Sequence, residues 1–400
     1  MAKVSPALTI AVTMAVIALA STRSDAHKPI TSPYTFTEDV LPIVREKCGA
    51  CHTAGGVAPM SLLTHAGAVP WGESIRAELM AGHMPPWPVD GPSSRFRNVR
   101  GLTARELNVL LTWASGGTPP GNAGATAAAL PAERPAAASP AAASPAAAFL
   151  GDNQWPLGTP DAVLSMPSSV TLPATAQDRI EELRLRTPFD RARLLRAVDL
   201  LPGTPAIVRS ATVSVRATAG PANAQDTLAL WVPGDPPVPL AAGAGFLLPA
   251  GADLIVRIRY LKTWEYEHQE MSDRSRVGLY FADEPAETVR ALGVRMGTTV
   301  IGEPVRALAV YPDPALANAH VRAVATRPDG SREELIAFRP RPGWARRYWF
   351  AEPVALPRGT RIEVTGTPDD ALLPPGALPQ PPADLSTIRL TLDVVPWAAE

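Results

Sequence analysis

The sequence predicts a multidomain chain in which a small all-α domain precedes an all-β region of two sandwiches of jelly-roll type. Three observations carry this expectation. Residues 34–120 hold three short segments with helical apolar spacing, each with its own start or stop residues. Residues 121–148 form an Ala/Pro tract with no core-forming pattern. From residue 149 onward, runs of alternating apolar residues are separated by Pro, Gly and Asp. The chain has 400 residues, too many for one ordinary domain, and its 46% apolar content suffices for several packed cores.

The N-terminus has the pattern of an export signal, assigned to residues 1–26. Lys3 supplies the positive start, Ala7 to Ala20 the apolar run, and small residues allow cleavage after Ala20 or after Ala26. The run is short for a bilayer span, although a retained anchor stays open at this point. No later segment reads as a membrane span, so none is expected after signal cleavage, and the expected location is the periplasm or another exported compartment. The net charge of −1 gives no basic field to attract nucleic acid.

The first expected helix is capped by Thr37 and runs through Val40, Ile43, Val44 and Lys47, with Pro42 near its start. It delivers the only two cysteines of the chain, Cys48 and Cys51, and His52 follows directly. Cys-x-x-Cys admits three readings. A redox disulfide lacks the βαβ context it usually keeps. A zinc site lacks a second Cys/His pair at finger spacing. Cys-x-x-Cys-His is the signature of one covalent haem c, with Cys48 and Cys51 as thioether anchors and His52 as the proximal iron ligand. Export agrees with that reading.

A second helix is expected from Trp71 to Met80, with Ile75 and Leu79 on one face and Gly82 as its stop. The third starts at a capping box, Thr103 to Glu106, carries an apolar stripe of Leu107, Leu110, Leu111 and Ala114, and ends at Gly116-Gly117. Three short helices around a covalent haem describe a small cytochrome c domain, residues 34–120. Met60, His65, Met80, His83 and Met84 are the candidates for the distal iron ligand. Met84 is favoured, because Pro85 and Pro86 restrict the backbone beyond it and it follows His52 at a distance that lets the chain reach the far side. Met80 is expected in the core, Met60 near the haem edge, and His65 in a solvated loop. Arg95, Arg97 and Arg100 can pair with propionates or face an acidic partner, or simply be solvated.

Residues 34–120 resemble the class I cytochrome c domains, and within them a subgroup with Gly-Gly-Val-Ala-Pro-Met-Ser-Leu (Gly55 to Leu62) and Met-Pro-Pro-Trp (Met84 to Trp87). The resemblance implies a fusion to a two-domain region similar to copper type II, ascorbate-dependent monooxygenases of the peptidylglycine-hydroxylating kind. Trp155 to Pro167, Thr263 to Ser275 and Trp344 to Phe350 look like segments of that family.

The tract 121–148 reads as a semi-extended linker long enough to let the first domain move. Beyond it, Leu254, Val256, Ile258 and Tyr260 alternate with Arg257 and Arg259, and similar alternation marks Val213-Val215, Val277 to Phe281, Val321 to Ala325 and Ile388 to Val394. Pro328-Asp329-Gly330 is a hairpin turn signal. Leu248-Pro249-Ala250-Gly251 and Leu356-Pro357-Arg358-Gly359 each precede a strand, a faint internal repeat. The sandwiches are assigned to 149–290 and 291–400.

Members of the monooxygenase family hold one copper by three histidines and the other by two histidines and a methionine. Here Arg209 stands where a His-His pair follows a Val, Arg259 precedes Tyr260 where a strand His belongs, and Tyr311-Pro312-Asp313-Pro314 replaces a His-x-His. Past residue 150 only His268 and His320 remain, and Arg is a fixed cation. Copper is therefore not expected, no catalytic residue is assigned, and the sandwiches are expected to be a scaffold or docking module. The functional expectation is an exported monohaem electron carrier serving a redox partner protein in the cell envelope. The alternatives are a copper-dependent monooxygenase fed by its own haem, and a haem-based sensor or peroxidase-like protein. His27, the first residue after cleavage at Ala26, is expected to be a loose terminus rather than a copper chelate.

Overall fold

The computed structural model describes residues 31–87, 89, 95–97, 101–122, 155–216, 225–283, 286–312, 319–339, 343–368 and 384–397. The expected signal segment, His27, Arg100, Asp313, Pro314 and nearly all of the Ala/Pro tract lie outside the described residues.

The protein is predominantly β-sheet, with its few helices gathered between residues 36 and 115. There, a π-helical turn, Phe36–Val40, leads into α1 (Leu41–Lys47). Then come α2 (His65–Ala68), a 3-10 turn (Val69–Trp71), α3 (Gly72–Met80) and α4 (Ala104–Ser115). Thr37 does not cap the first helix as expected. Helical backbone begins one residue earlier, and Asp39 accepts from the Thr35 amide at 2.8 Å instead. At the end of α3, Gly82 has φ +66° while the His83 amide reaches back to the Glu78 carbonyl at 2.9 Å, a left-handed stop that glycine adopts without strain. The capping box at Thr103 and Glu106 is present in full. The buried face of α4 is centred on Val109, Leu110 and Trp113, and the other residues of the expected stripe, Leu107, Leu111 and Ala114, pack against the same core. Trp113 is fully buried between Phe36 and the Pro119 carbonyl, which accepts from its Nε1 at 3.1 Å.

The β region contains two sandwich-like units. The first comprises β1 (Ala162–Ser165), β2 (Val170–Leu172), β3 (Asp178–Arg186), β4 (Arg193–Leu201), β5 (Val208–Arg216) and β6 (Gln225–Trp231). It continues with β7 (Ala244–Leu248), β8 (Asp253–Leu261), β9 (Met271–Asp273), β10 (Arg276–Phe281) and β11 (Glu287–Thr288). The second comprises β12 (Arg290–Arg295), β13 (Gly297–Val300), β14 (Val305–Pro312), β15 (Ala319–Thr326), β16 (Arg332–Phe338), β17 (Tyr348–Leu356), β18 (Arg361–Pro368) and β19 (Arg389–Pro396).

The sheets of the first unit run β1-β10-β4-β7, with β11 joining as a parallel edge, and β3-β8-β5-β6; β2 and β9 pair separately. Those of the second run β12-β19-β14-β17 and β13-β18-β15-β16. Apart from β2, β9 and β11, the two units have the same strand order. The Leu-Pro-x-Gly segments fall at equivalent places, just before β8 and β18, where Gly251 and Gly359 turn with φ +63° and +87°. The period-2 pattern of the sequence has its physical cause here: Leu254, Val256, Ile258 and Tyr260 point into one core, and Val321, Ala323 and Ala325 into the other.

The two units share a buried junction. Leu308, Ala309, Trp349 and Val395 of the second unit pack into the core of the first. Two consecutive arginines enter it from the β16–β17 connection. Arg347 lies 2.6 Å from the Asp393 carboxylate and donates to the Leu228 and Thr227 carbonyls at 2.7 Å, with Phe246, Tyr311 and Trp349 around its guanidinium. Arg346 pairs with Asp235 at 2.6 Å. Beside them a cleft of about 40 Å³, room for a water or two, is lined by Asp199, Asp235, Trp231, Arg347 and Trp349.

Burial pushes the Asp199 carboxyl up to about 7; the Leu200 amide opposes this and nearby Asp235 adds to it. The folded chain therefore keeps a proton that the unfolded chain releases near pH ~4. Stabilisation from this group is complete below that pH and is lost as pH rises through about 7. Asp199→Asn should flatten the fall in melting temperature between mildly acidic and neutral pH and raise stability at pH ~8 by a few kcal/mol; an unchanged profile counts against it. Arg347→Met should cost about 3–5 kcal/mol by leaving Asp393 buried without its cation, and adding Asp393→Asn should recover part of that loss in thermal unfolding.

Candidate functional site

Helix α1 ends at Cys48, whose amide closes on the Val44 carbonyl at 2.9 Å. The chain then makes a tight turn in which the Cys51 and His52 amides both return to the Cys48 carbonyl, at 3.0 and 2.9 Å. The turn brings Cys48, Cys51 and His52 together at the edge of the helical core, where Cys48 and Met60 pack. Both cysteines are free thiols. Burial pushes each up to about 12; Cys51 adds to the effect on Cys48, and Arg209 opposes it at Cys51. Thiols held this far from ionisation are poor nucleophiles in the chain as it stands.

Burial holds the His52 imidazole below its ordinary value. The Met60 backbone lies close enough to favour the protonated ring, yet Nδ1 is sealed from solvent and meets no partner at hydrogen-bonding geometry. The neutral ring prevails, since desolvation is the larger effect. Among the described residues no three His, Cys, Asp or Glu side chains converge as the ligands of one ion, and these three are no exception. Cys48, Cys51 and His52 are the residues of this turn that could hold a cofactor.

Most of the distal candidates are engaged elsewhere. His65 is not in a solvated loop: it opens α2, its Nε2 lies 2.8 Å from the Thr118 carbonyl, and its ring meets Phe36 edge-on. The His83 Nδ1 is 3.1 Å from Glu78. Met80 is not in the core; it is 67% exposed, with its sulfur 3.0 Å from Arg76. Met60 packs against the helical core. Met84 follows the stop at Gly82, is 37% exposed, and precedes Pro85 and Pro86 through a cis peptide.

Sequence reasoning missed how tightly this helical unit is held. The segment after Met84 contacts the β region, with Phe96 buried there and Trp87 half-buried. Trp87 lies 3.8 Å over the Arg346 guanidinium, Val89 bridges to Phe338, Phe96 bridges to Phe350 and enters the second core, and the Arg97 amide donates to the Trp349 carbonyl at 2.9 Å. Arg97 is exposed, with its guanidinium 5.7 Å over the Trp349 ring. Trp87 and Phe96 were legible as apolar residues, but nothing local named their partners.

The cysteine segment touches the first sandwich directly. Cys51 Sγ is 3.6 Å from the Pro233 carbonyl, and a Cβ added to Gly234 would come within 2.9 Å of Ala50 Cβ. Arg209 donates from Nη1 to the Val57 carbonyl at 2.5 Å. Arg259 pairs instead with Asp178 at 2.6 Å. His268 follows the 3-10 turn Trp264–Tyr266 of the first unit, and His320 lies on β15 of the second.

No protein family and no curated protein is matched by this chain. A solved structure of xanthan lyase from Paenibacillus aligns with 61% of this chain and 27% of that one, at 11% identity and a TM-score of 0.15. The chain thus spans 27% of that protein's length, and a likeness this slight carries no argument.

With both thiols near 12, the haem-free chain should react with iodoacetamide at pH ~8 on the order of a thousandfold more slowly than free cysteine, and at the ordinary rate once unfolded. Rapid labelling of the folded protein contradicts the raised thiol values.

Proposed function

We propose that this chain is an exported monohaem c-type cytochrome that carries electrons, with its helical unit a class I cytochrome c domain. The observation that carries the reading is the single tight turn that brings two free, half-buried thiols and the His52 imidazole together. In this reading Cys48 and Cys51 hold the haem as thioethers, His52 is the proximal ligand and Met84 the distal one. The bound haem supplies a one-electron iron couple.

The protein's own part is binding and positioning. Helix α1 and the Cys48 to His52 turn fix the anchors. Burial keeps His52 neutral and available as a donor. The contacts made by His65, His83 and Met80 favour Met84, held between the α3 stop and two prolines, over those three. Met/His ligation raises the reduction potential, which suits an electron carrier. The β units are, in this proposal, two jelly rolls similar to the copper type II monooxygenases, serving as scaffold and docking module without copper. Arg209 and Arg259, bonded to Val57 and Asp178, support that assignment. The redox partner is a protein of the cell envelope. No helix among the described residues is long and apolar enough to cross a membrane.

Maturation in a host competent for haem attachment provides the test. Purified protein should carry one haem per chain that stays bound through denaturation, and a pyridine haemochrome spectrum should report thioether attachment at both cysteines. Met84→Ala should abolish the far-red methionine-to-iron absorption band and open the iron to carbon monoxide. A colourless product ends the proposal. Carbon monoxide binding to the untreated protein favours the sensor or peroxidase-like alternative, and two tightly held coppers with ascorbate-dependent oxygen consumption favour the monooxygenase.

A further inference from the structure

Arg209 is the point where the first sandwich grips the cysteine segment. It stands at a β-bulge in β5, between Val208, opposite Tyr260, and Ser210, opposite Arg259. A bulge re-aims a side chain out of the regular alternation. The re-aimed guanidinium holds the Val57 carbonyl through Nη1, while Nε is sealed from water with no acceptor. No carboxylate among the described residues forms an ion pair with Arg209; nearby Asp178 is taken by Arg259. The Val232-Pro233-Gly234-Asp235 turn closes the same face, with the Pro233 carbonyl on Cys51 Sγ.

A partly desolvated cation without a counter-charge is costly, and its field is weakly screened. Here it is directed at the segment between Cys51 and Val57. Oxidation of a metal centre adds one positive charge at the site, so a fixed cation beside it favours the reduced form. We propose that Arg209 is a positioning residue through which the β-sandwich sets the reduction potential of the haem held by Cys48, Cys51 and His52. This inference rests on the haem reading above. It gives the first sandwich a definite role, because the side chain that replaces a histidine of the resembled family pins the haem-attachment loop and holds a positive charge against it.

The test uses the haem-loaded, full-length protein and two readouts. In a spectroelectrochemical titration, Arg209→Gln should lower the reduced-to-oxidised ratio at fixed poise by about tenfold, equivalent to a fall of about 59 mV in midpoint for one electron. Arg209→Lys, which keeps the charge, should restore most of the shift. Arg184→Gln removes an exposed charge on β3, paired with Asp253 and making no contact with the cysteine segment, and should leave the midpoint unchanged. Hydrogen exchange should show the amides of residues 54–58 opening faster in Arg209→Gln, which reads the grip on the loop independently of the potential. A midpoint within error of wild type in Arg209→Gln, with haem content and melting temperature retained, overturns the inference. So does a shift that Arg209→Lys fails to reverse. If Arg209→Gln does not accumulate, Arg209→Lys alone decides: an unchanged midpoint with faster exchange at 54–58 supports the assignment, and unchanged exchange overturns it. Wild-type protein without covalent haem overturns the haem reading itself, and the inference with it.

Discussion

The contact between Asp235 and Arg346 holds the molecule together at the place where its three parts meet. Arg346 is fully buried and Asp235 nearly so, and they lie 2.6 Å apart. A buried pair of this kind repays its desolvation only when its geometry is fixed by surrounding contacts. Those contacts come from three directions. Trp87 of the segment after the helices lies on one face of the guanidinium, Tyr348 lies near it, and Asp235 belongs to the turn whose Pro233 carbonyl rests on Cys51. One ion pair thus links the second sandwich, the first sandwich and the cysteine-bearing turn. Loosening it would release the Cys51 cover and the Trp87 strap together.

Around that pair the junction is unusually charged for a core. Arg347 and Asp393 form a second buried pair, and Asp199 lies on the cleft between them and Asp235. Aromatic rings fill most of the remaining space: Phe246, Tyr311 and Trp349 surround Arg347. Arginine suits such a place better than lysine, because its flat, weakly hydrated guanidinium stacks on rings while its edge donates to carbonyls. The result is a rigid seam between two units of identical strand order. The helical unit sits against that seam.

The two arginines of β5 and β8 each have a definite partner in this arrangement. Arg209 and Arg259 occupy adjacent strands of one sheet, and each is engaged, Arg209 with the cysteine segment and Arg259 with Asp178. In the proposed reading, a surface that resembles a metal-binding face has become a docking face for the chain's own haem-attachment loop. The helical unit and the first sandwich are in direct contact at Cys51 and Val57.

Local chemistry made much of this legible from the residues alone. The Cys48 to His52 motif, the capping box at Thr103, the glycine stop at Gly82 and the alternation in β5, β8, β15 and β19 depend on neighbours a few positions away, and each could be read without a partner. The paired Leu-Pro-x-Gly turns even marked equivalent strands of the two units. What local pattern could not supply were contacts between residues far apart in sequence. No periodicity announces that Trp87 will lie on Arg346, that the Pro233 carbonyl will cap Cys51, or that the bulge at Arg209 will turn its guanidinium onto Val57. Apolar spacing placed the stripe of α4 near Leu107 and Leu111, but Trp113 became its centre because Phe36 and Pro119 are packed there. The sequence by itself determined most of the elements and which side chains the cysteine turn carries, since backbone preference and side-chain type are local properties. Only the tertiary structure decided which cations were buried and what they held, because the cost of burying a charge is met by partners drawn from distant parts of the chain.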